Sequence, residues 1–333
     1  MRITTWDTAG WSLVLLPVAM WKSNLAGCWA EALRQMAYMA KILGDEEEAE
    51  SYNSEFKNVV DNLDEQFWNS KTEFYDAGLC FGSDNKTEKT VLPAIPIFFG
   101  HLPFEKSQSA AEEFSTEDFS EAWGVTIVTR KSPDYDGGRS QYGCVWPLFT
   151  GWASLVEYKI HLPVGGFQHI MANLRNYRQG SLGWVEEILH GDTGKPAGVC
   201  PHQAWSEAMV CLPILRGMLG LEADAIENAA RMCPHIPKQW DRFEVTNIRI
   251  GDNTLNWEYR KTPSEERYRF KWTGKNPLSL EFEPPIPDEF DKVELKVNGK
   301  QRYLATKKYG RCSHALIFLN IRRVATVTLN FTT

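Results

Sequence analysis

The sequence has no CxxC pair, no long apolar run and no excess of positive charge, and each absence excludes something. Its seven cysteines (28, 80, 144, 200, 211, 233 and 312) are scattered along the chain. An odd, irregular set with no histidine at ligand spacing reads as reduced thiols, not as a disulfide frame or a zinc site. No apolar stretch reaches the ~18–20 residues needed to span a bilayer. A formal net charge of −7 argues against nucleic acid or an anionic membrane as partner. A phosphate loop, a dinucleotide fingerprint, a nucleophile elbow and an HExxH motif are all missing. One feature imitates a targeting signal: the apolar residues 11–20 are followed by Leu25-Ala26-Gly27-Cys28, which has the form of a lipoprotein cleavage box. Trp21-Lys22-Ser23-Asn24 interrupts that run, and helical periodicity continues through Cys28. Together with the unpaired thiols, this points to a cytoplasmic protein.

What is present is an ordinary globular composition, 43% hydrophobic and 12% aromatic over 333 residues. The composition changes near Trp240. Residues 1–240 carry 19 Lys+Arg against 31 Asp+Glu, whereas residues 241–333 carry 17 against 12. Eleven of the 13 tryptophans precede the break. Before it, apolar residues recur at helical spacing; after it, short alternating runs are punctuated by turns. The segment 293–297 running into Asn298-Gly299 predicts a strand and a type I′ hairpin, and 315–319 and 325–331 predict further strands. Pro234-His235-Ile236-Pro237 reads as a linker. Domains are therefore expected at 1–240, helical, and 241–333, a small antiparallel β-sandwich.

In the first domain the pattern predicts helices at 11–21, 24–43, 45–68, 88–100, 103–116, 142–160, 166–178 and 201–218. Gly44-Asp45 reads as a C-cap followed by an N-cap, with Glu46, Glu47 and Glu48 in the new first turn. Trp21, Trp29 and Met36 fall on helical faces and are expected in the core. Successive helix pairs joined by loops suggest a bundle or a toroid of helical hairpins.

The chemistry is concentrated in three loops. Residues 120–152 contain Trp123, Gln141, Tyr142 and Trp146; residues 180–192 read Gly-Ser-Leu-Gly-Trp-Val-Glu-Glu-Ile-Leu-His-Gly-Asp; residues 198–206 contain His202, Gln203 and Trp205. Glycine turns combined with Trp, Tyr and a few polar groups suit a sugar, whose C–H faces stack on aromatics while its hydroxyls take hydrogen bonds. Glycoside hydrolysis uses two carboxyl groups on opposite sides of the bond. Glu186 and Glu187 lie beside Trp184, so either is a candidate. Neighbouring side chains point different ways, so the two are not expected to form the catalytic pair. A solvated position flanking a short helix also explains them. His202 has two readings, a helix-terminal residue or a sugar contact; Trp146 and Trp205 open helices and are as well explained by the core. Asp134 and Asp136 read as turn formers.

Taken in order, Tyr142-Gly143-Cys144-Val145-Trp146-Pro147, then 183–192, then Pro201-His202-Gln203-Ala204-Trp205-Ser206 resemble the C-terminal part of the amylo-α-1,6-glucosidase-like proteins of glycogen debranching. Those belong to the six-hairpin glycosidases that include glucoamylases. The resemblance covers roughly residues 20–240. It implies a mainly α chain, a partial (α/α)6 barrel lacking its first hairpins, followed by the small β-sandwich. It also implies inverting hydrolysis of α-glucosidic or related oligosaccharides, with Glu187 as general base and Glu186 as the alternative. Trp123, Gln141, Tyr142, Trp146, Trp184, His202, Gln203 and Trp205 would line the sugar pocket, and no metal or organic cofactor is required. Gln141 stands where the family commonly has His, and Thr126 where Arg is expected. The general acid lies upstream of the matched region; Asp7 is the only early acid in an aromatic setting, and nothing assigns it that role. The competing reading is a non-catalytic carbohydrate-binding chain, or a fragment that needs a partner to supply the missing N-terminal hairpins, with exposed helix faces that favour a homo-oligomer; a third is another hydrolase of the same group, rhamnosidase-like or trehalase-like.

Overall fold

A computed structural model describes residues 20–80 and 88–332 of the chain. Asp7 and most of the helix expected at 11–21 lie outside these residues. The chain divides into two compact units, residues 1–160 with 168–213, and residues 161–167 with 214–333.

The first unit contains α1 (Ser23–Leu43), α2 (Glu46–Phe67), α3 (Ala94–Phe99), α4 (Phe104–Phe114), α5 (Pro147–Lys159) and α7 (Ala204–Leu212), while α6 (Pro163–Arg175) contains the division between units. Three two-stranded ribbons are interspersed: β1 (Met20–Lys22) with β4 (Gly78–Cys80), β2 (Trp68–Asn69) with β3 (Phe74–Tyr75), and β5 (Ser120–Glu121) with β6 (Gly124–Val125). The α1–α2 hairpin forms where its sequence signals it. Gly44 takes the left-handed conformation (φ 80°), and Asp45 caps α2 by accepting a hydrogen bond from the Glu48 amide at 3.1 Å. Ala30, Leu33, Ala37 and Ala40 form the buried stripe of α1, and Leu63 and Phe67 are buried on α2. Burying each such Leu or Phe stabilises by roughly 1.5–3 kcal/mol. Phe74, Phe114 and Phe119 form a fully buried aromatic cluster with centroids 5.7–6.2 Å apart.

The second unit holds β7 (Leu221–Asp224), β8 (Ala229–Met232), β9 (Arg242–Ile250), β10 (Asn253–Thr262), β11 (Glu265–Trp272), β12 (Leu278–Phe282), β13 (Pro285–Ile286), β14 (Lys292–Val297), β15 (Lys300–Arg302), β16 (Ala305–Tyr309), β17 (Cys312–Ile321) and β18 (Val324–Thr332). They form two sheets, one ordered β15-β14-β18-β11-β10-β9, the other β13-β17-β12-β8-β7 with β16 also on β17. Strict alternation along β11 turns every second side chain inward: Glu266, Tyr268, Phe270 and Trp272 are buried and the residues between them exposed. Phe282 of β12 packs edge-on against Tyr268 and Phe270 at 4.8 and 5.1 Å, joining the two sheets face to face. Asn298 (φ 51°) and Gly299 (φ 77°) both have positive φ, as the type I′ turn between β14 and β15 requires.

These elements correct several expectations. The chain is not mainly α: about 34% of the described residues are helix and 30% strand, and the helical part is itself threaded with short strands, so the partial (α/α)6 barrel description does not hold. The β-rich region begins at Leu221 and forms two extensive sheets instead of a small appendage, because β7 and β8 add to β12 before the composition break. Nor is it wholly antiparallel, since β8 and β12 run parallel. Within 88–100 only Ala94–Phe99 is helical. Thr90 instead bridges Val128, and prolines at 93 and 96 restrict the backbone. Helix α5 starts at Pro147, because Val145 is taken up in pairing with Thr126 and Leu189. Beyond Leu212 the chain forms a π-helical turn at Pro213–Met218, where proline removes a helix donor. Trp29 is not core: it is exposed, as are Leu25, Met39, Ile42 and Leu43 of the same helix. Among the described residues no helix is long and apolar enough to cross a membrane.

Candidate functional site

All the described aromatic and carboxylate candidates fall in the first unit, on loops clamped together by short backbone pairings. Val145 bridges both Thr126 and Leu189, and Leu189 bridges Pro196. Val145 and Leu189 exchange two hydrogen bonds, 2.9 and 2.8 Å. The segment 185–203 then closes on itself: the Glu187 amide donates to Cys200 O at 2.8 Å and the Gln203 amide to Val185 O at 3.0 Å. Three loops far apart in sequence are thereby aligned without any regular sheet.

Close backbone approach fixes their relative position. A Cβ on Gly191 would lie 2.0 Å from Gly143 O, closer than any real contact, so the 139–143 and 190–194 turns fit together only with glycine there. Around this contact Arg130 donates to Gly191 O at 2.9 Å and pairs with Asp192 at 3.2 Å and Glu121 at 3.0 Å. Tyr135 also donates to Asp192, at 2.8 Å. Asp136 accepts from the Gly138 amide at 3.0 Å, the turn-forming role expected of it.

Several proposed sugar-contacting residues prove to be committed to this framework. Trp123 is half-buried; its indole donates to Gly191 O at 3.0 Å and its ring lies against Gly194. Trp146 is buried, with its indole donating to Ser140 O at 2.7 Å. Tyr142 is half-buried beneath the Arg139 guanidinium, 4.1 Å from its ring centre. Gln141 is half-buried on the same turn, and Trp205 is half-buried in the first turn of α7.

A second group is presented to solvent. Trp184 is 41% exposed and stacks on His202 with ring centres 4.5 Å apart and planes 14° from parallel. His202 Nε2 meets Glu207 of α7 at 2.7 Å. Gln203, half-buried, is held next to Val185 by its backbone hydrogen bond. The two carboxylates differ. Neither flanks a helix: both lie in irregular loop, Glu187 at a bend. Glu186 is 6% exposed, near Gly180, and burial pushes its carboxyl above the usual carboxylate range. Glu187 is half-buried and anchored by its backbone. The structure thus brings Trp184, His202, Gln203, Glu186 and Glu187 onto one closed loop, and places Trp123, Tyr142 and Trp146 in the turns that support it.

Sequence reading missed the residue chain that braces β5. His169 Nδ1 is 2.7 Å from Glu157 Oε2, its Nε2 is 2.8 Å from Ser120 Oγ, and the Ser115 hydroxyl donates to Glu157. Glu157 and His169 are essentially inaccessible to solvent. Glu157 sits in the last turn of α5, where charge alone does not distinguish it from a surface residue. The second unit holds another missed cluster, His161, Cys233, His235 and His314, all buried, whose donor atoms lie within 4.8 Å of one another. Burial pushes His161 down to about 2 and His235 to about 3, and lowers His314 as well, which leaves neutral imidazoles. Cys233-Pro234-His235 is a ligand-type spacing that the linker reading of 234–237 passed over.

A family model described as a mannosylglycerate hydrolase MGH1-like glycoside hydrolase domain matches residues 9–206. The chain belongs to this glycoside hydrolase family. The glycosidase resemblance of the three loops therefore stands, while the family shown is not that of glycogen debranching. A search of curated proteins finds no match. Among solved structures this family member is similar to a sialidase (TM-score 0.64, 18% identity, 72% of this chain and 24% of that one). It is similar also to an α-L-rhamnosidase from Dictyoglumus thermophilum (0.56, 13%, 90% and 31%) and to a GH78 family rhamnosidase of Bacillus sp. GL1 (0.54, 14%, 72% and 24%). At these identities the likeness is one of fold. The chain spans a quarter to a third of the length of those proteins.

Proposed function

We propose that the 183–206 loop is the sugar-binding and catalytic surface of a glycosidase, with Glu187 as general base of an inverting hydrolysis. The observation that carries this reading is the exposed Trp184–His202 stack, three residues from a half-buried carboxylate in a glycine-bounded loop of a glycoside hydrolase domain. The stacked rings offer a flat apolar face to a pyranose, and Gln203 supplies hydrogen-bonding groups. Glu187 then deprotonates a water that attacks the anomeric carbon. Inversion needs the partner carboxyl ~6.5–9.5 Å away so that this water fits. Glu186, adjacent in sequence and buried so that its carboxyl is held above its ordinary value, serves the reading as a hydrogen-bonding neighbour of the base. The substrate is a small α-glycoside: an α-glucosidic oligosaccharide or, by kinship with the matched family, mannosylglycerate.

A second reading is favoured by the exposed apolar residues of α1 around Trp29: a partner chain, or a second copy, packs there and supplies the general acid. The experiment that decides is turnover of α-glucosyl fluoride, whose leaving group needs no protonation, beside maltooligosaccharide and mannosylglycerate. Glu187→Gln should lose about 10²–10⁴-fold in kcat on whichever substrate the wild type turns over. Fluoride turnover alone supports the partner-supplied acid. No turnover of any substrate by the wild type, with sugar binding intact, overturns the catalytic reading.

A further inference from the structure

The second unit gathers four potential metal donors from three separate stretches of chain: His161 ahead of α6, Cys233 and His235 after β8, and His314 on β17. Their rings surround a common point, with centroid separations of 5.0 Å for His161–His235, 4.6 Å for His161–His314 and 5.3 Å for His235–His314. The Cys233 thiol lies 3.6 Å from the His314 ring nitrogen Nδ1. All four residues are buried.

Backbone partners dictate which nitrogens carry protons. His235 Nδ1 is 3.1 Å from Cys233 O, and His314 Nδ1 is 3.0 Å from Glu283 O. A carbonyl only accepts, so each Nδ1 is the protonated nitrogen, and each Nε2 is left as an acceptor. His161 Nδ1 lies 3.0 Å from His235 Nε2. His314 Nε2 has no hydrogen-bond partner among the described residues, although its residue is fully buried. A buried acceptor without a donor is uncommon in native proteins, and here, facing three other donor groups, it has the lone pair a metal ion takes. Fixing the far nitrogen of a histidine on a backbone carbonyl is also how metal-binding imidazoles are oriented. His161 is held with φ 63°, an uncommon conformation for a non-glycine residue, which turns its ring into the cluster.

We propose that His161, Cys233, His235 and His314 form a structural zinc site. Three neutral imidazoles and a thiolate match the borderline-soft character of Zn2+, and a tetrahedral ion with bonds of about 2.0–2.3 Å holds its donors about 3.3–3.6 Å apart. The donors, within 4.8 Å of one another, reach that spacing by small side-chain rotations. Binding releases the thiol proton to solvent and forms one Zn–S and three Zn–N bonds. Four protein donors leave no position for water or substrate, so the ion acts as a staple. It ties the 161–167 segment and the strand end at Cys233 to β17. Around it, the Glu283 carboxylate, held by Arg231 at 2.7 Å and Tyr309 at 2.6 Å, lies on the His314 side, and Tyr309 stacks on His161 at 4.1 Å. Arg231 is neutralised by Glu283, so no unpaired cation faces the ion.

The test is elemental analysis of the full chain purified from zinc-supplemented medium without chelator, alongside Co2+ substitution. About one Zn2+ per chain is expected, falling at least tenfold in Cys233→Ser and His314→Gln. The Co2+ form should show a thiolate charge-transfer band together with intense tetrahedral d–d bands. Should either variant fail to fold, wild-type protein stripped of metal and titrated with Zn2+ provides the independent readout: its melting temperature should rise to a plateau at one equivalent. Metal-free wild type whose melting temperature ignores Zn2+, or bound Co2+ without the thiolate band, overturns the proposal.

Discussion

Two histidine–glutamate pairs in the first unit have the same 2.7 Å contact and opposite surroundings. His169–Glu157 is sealed in the interior, with side chains 2% and 0% exposed; His202–Glu207 is open, at 50% and 33%. The sealed pair is held in turn by Ser115 and Ser120, and losing one member strands the other in a medium that solvates charge poorly. In the open pair water replaces whatever is removed, so the contact contributes little to folding. The first pair is framework. The second retains enough freedom for its ring to stack on Trp184 and meet a ligand.

Breaking the sealed pair is the strongest way to test that contrast. His169→Ala should destabilise by about 3–5 kcal/mol, read as a lower urea midpoint, because Glu157 is left buried without its partner. A loss below about 1 kcal/mol, the scale of an ordinary solvated pair, would show that the interior chain of hydrogen bonds is dispensable. Next in size, Gly191→Ala should lose about 1–3 kcal/mol of stability and weaken sugar binding with it, since its methyl meets Gly143 O. Trp184→Ala should leave the melting temperature almost unchanged while removing about 1 kcal/mol of sugar affinity, roughly fivefold in Kd by calorimetry. Equal affinity in both proteins would remove Trp184 from the site. His202→Ala should change stability by less than about 1 kcal/mol, which sets it directly against His169→Ala.

The smallest effect concerns Glu186. Its folded-state carboxyl titrates above the unfolded one, so the folded chain binds the proton more tightly, and stability is lost as pH rises through the folded value. Glu186→Gln removes that loss. The variant should therefore melt higher than wild type at a pH of about 8, with the gap closing by about pH 4, near the unperturbed glutamate value. A gap that is constant with pH would mean that the carboxyl is solvated like any surface group.

How much of this the sequence disclosed depends on the range of the signals. The α1–α2 hairpin was legible because its caps, Gly44 and Asp45, act within one turn, and the Asn298-Gly299 turn for the same reason. The ribbons β1 to β6 were not, since two- and three-residue strands leave no alternation to count. Pairing within them can depend on a distant partner, as Met20 pairs with Cys80 and Lys22 with Gly78. The loops carrying Trp184, Glu187 and His202 stood out because glycine and tryptophan are unusual company. What composition did not reveal is which tryptophans are spent on the framework: the indoles of Trp123 and Trp146 are distinguished from Trp184 only by the carbonyls of Gly191 and Ser140. The cluster around His314 was legible only in Cys233-Pro234-His235, whose spacing was passed over, because His161 and His314 join it from distant positions.

The contact between Gly143 and Gly191 has a further consequence for descent. Because a side chain on Gly191 would meet Gly143 O and one on Gly137 would meet Asp192, neither turn can acquire bulk at these two glycines unless its opposite number shifts. Single-step drift is blocked at both positions, and the two turns are inherited as one part. Change that leaves this frame intact falls instead on side chains outside the contact, such as the exposed Trp184 and His202.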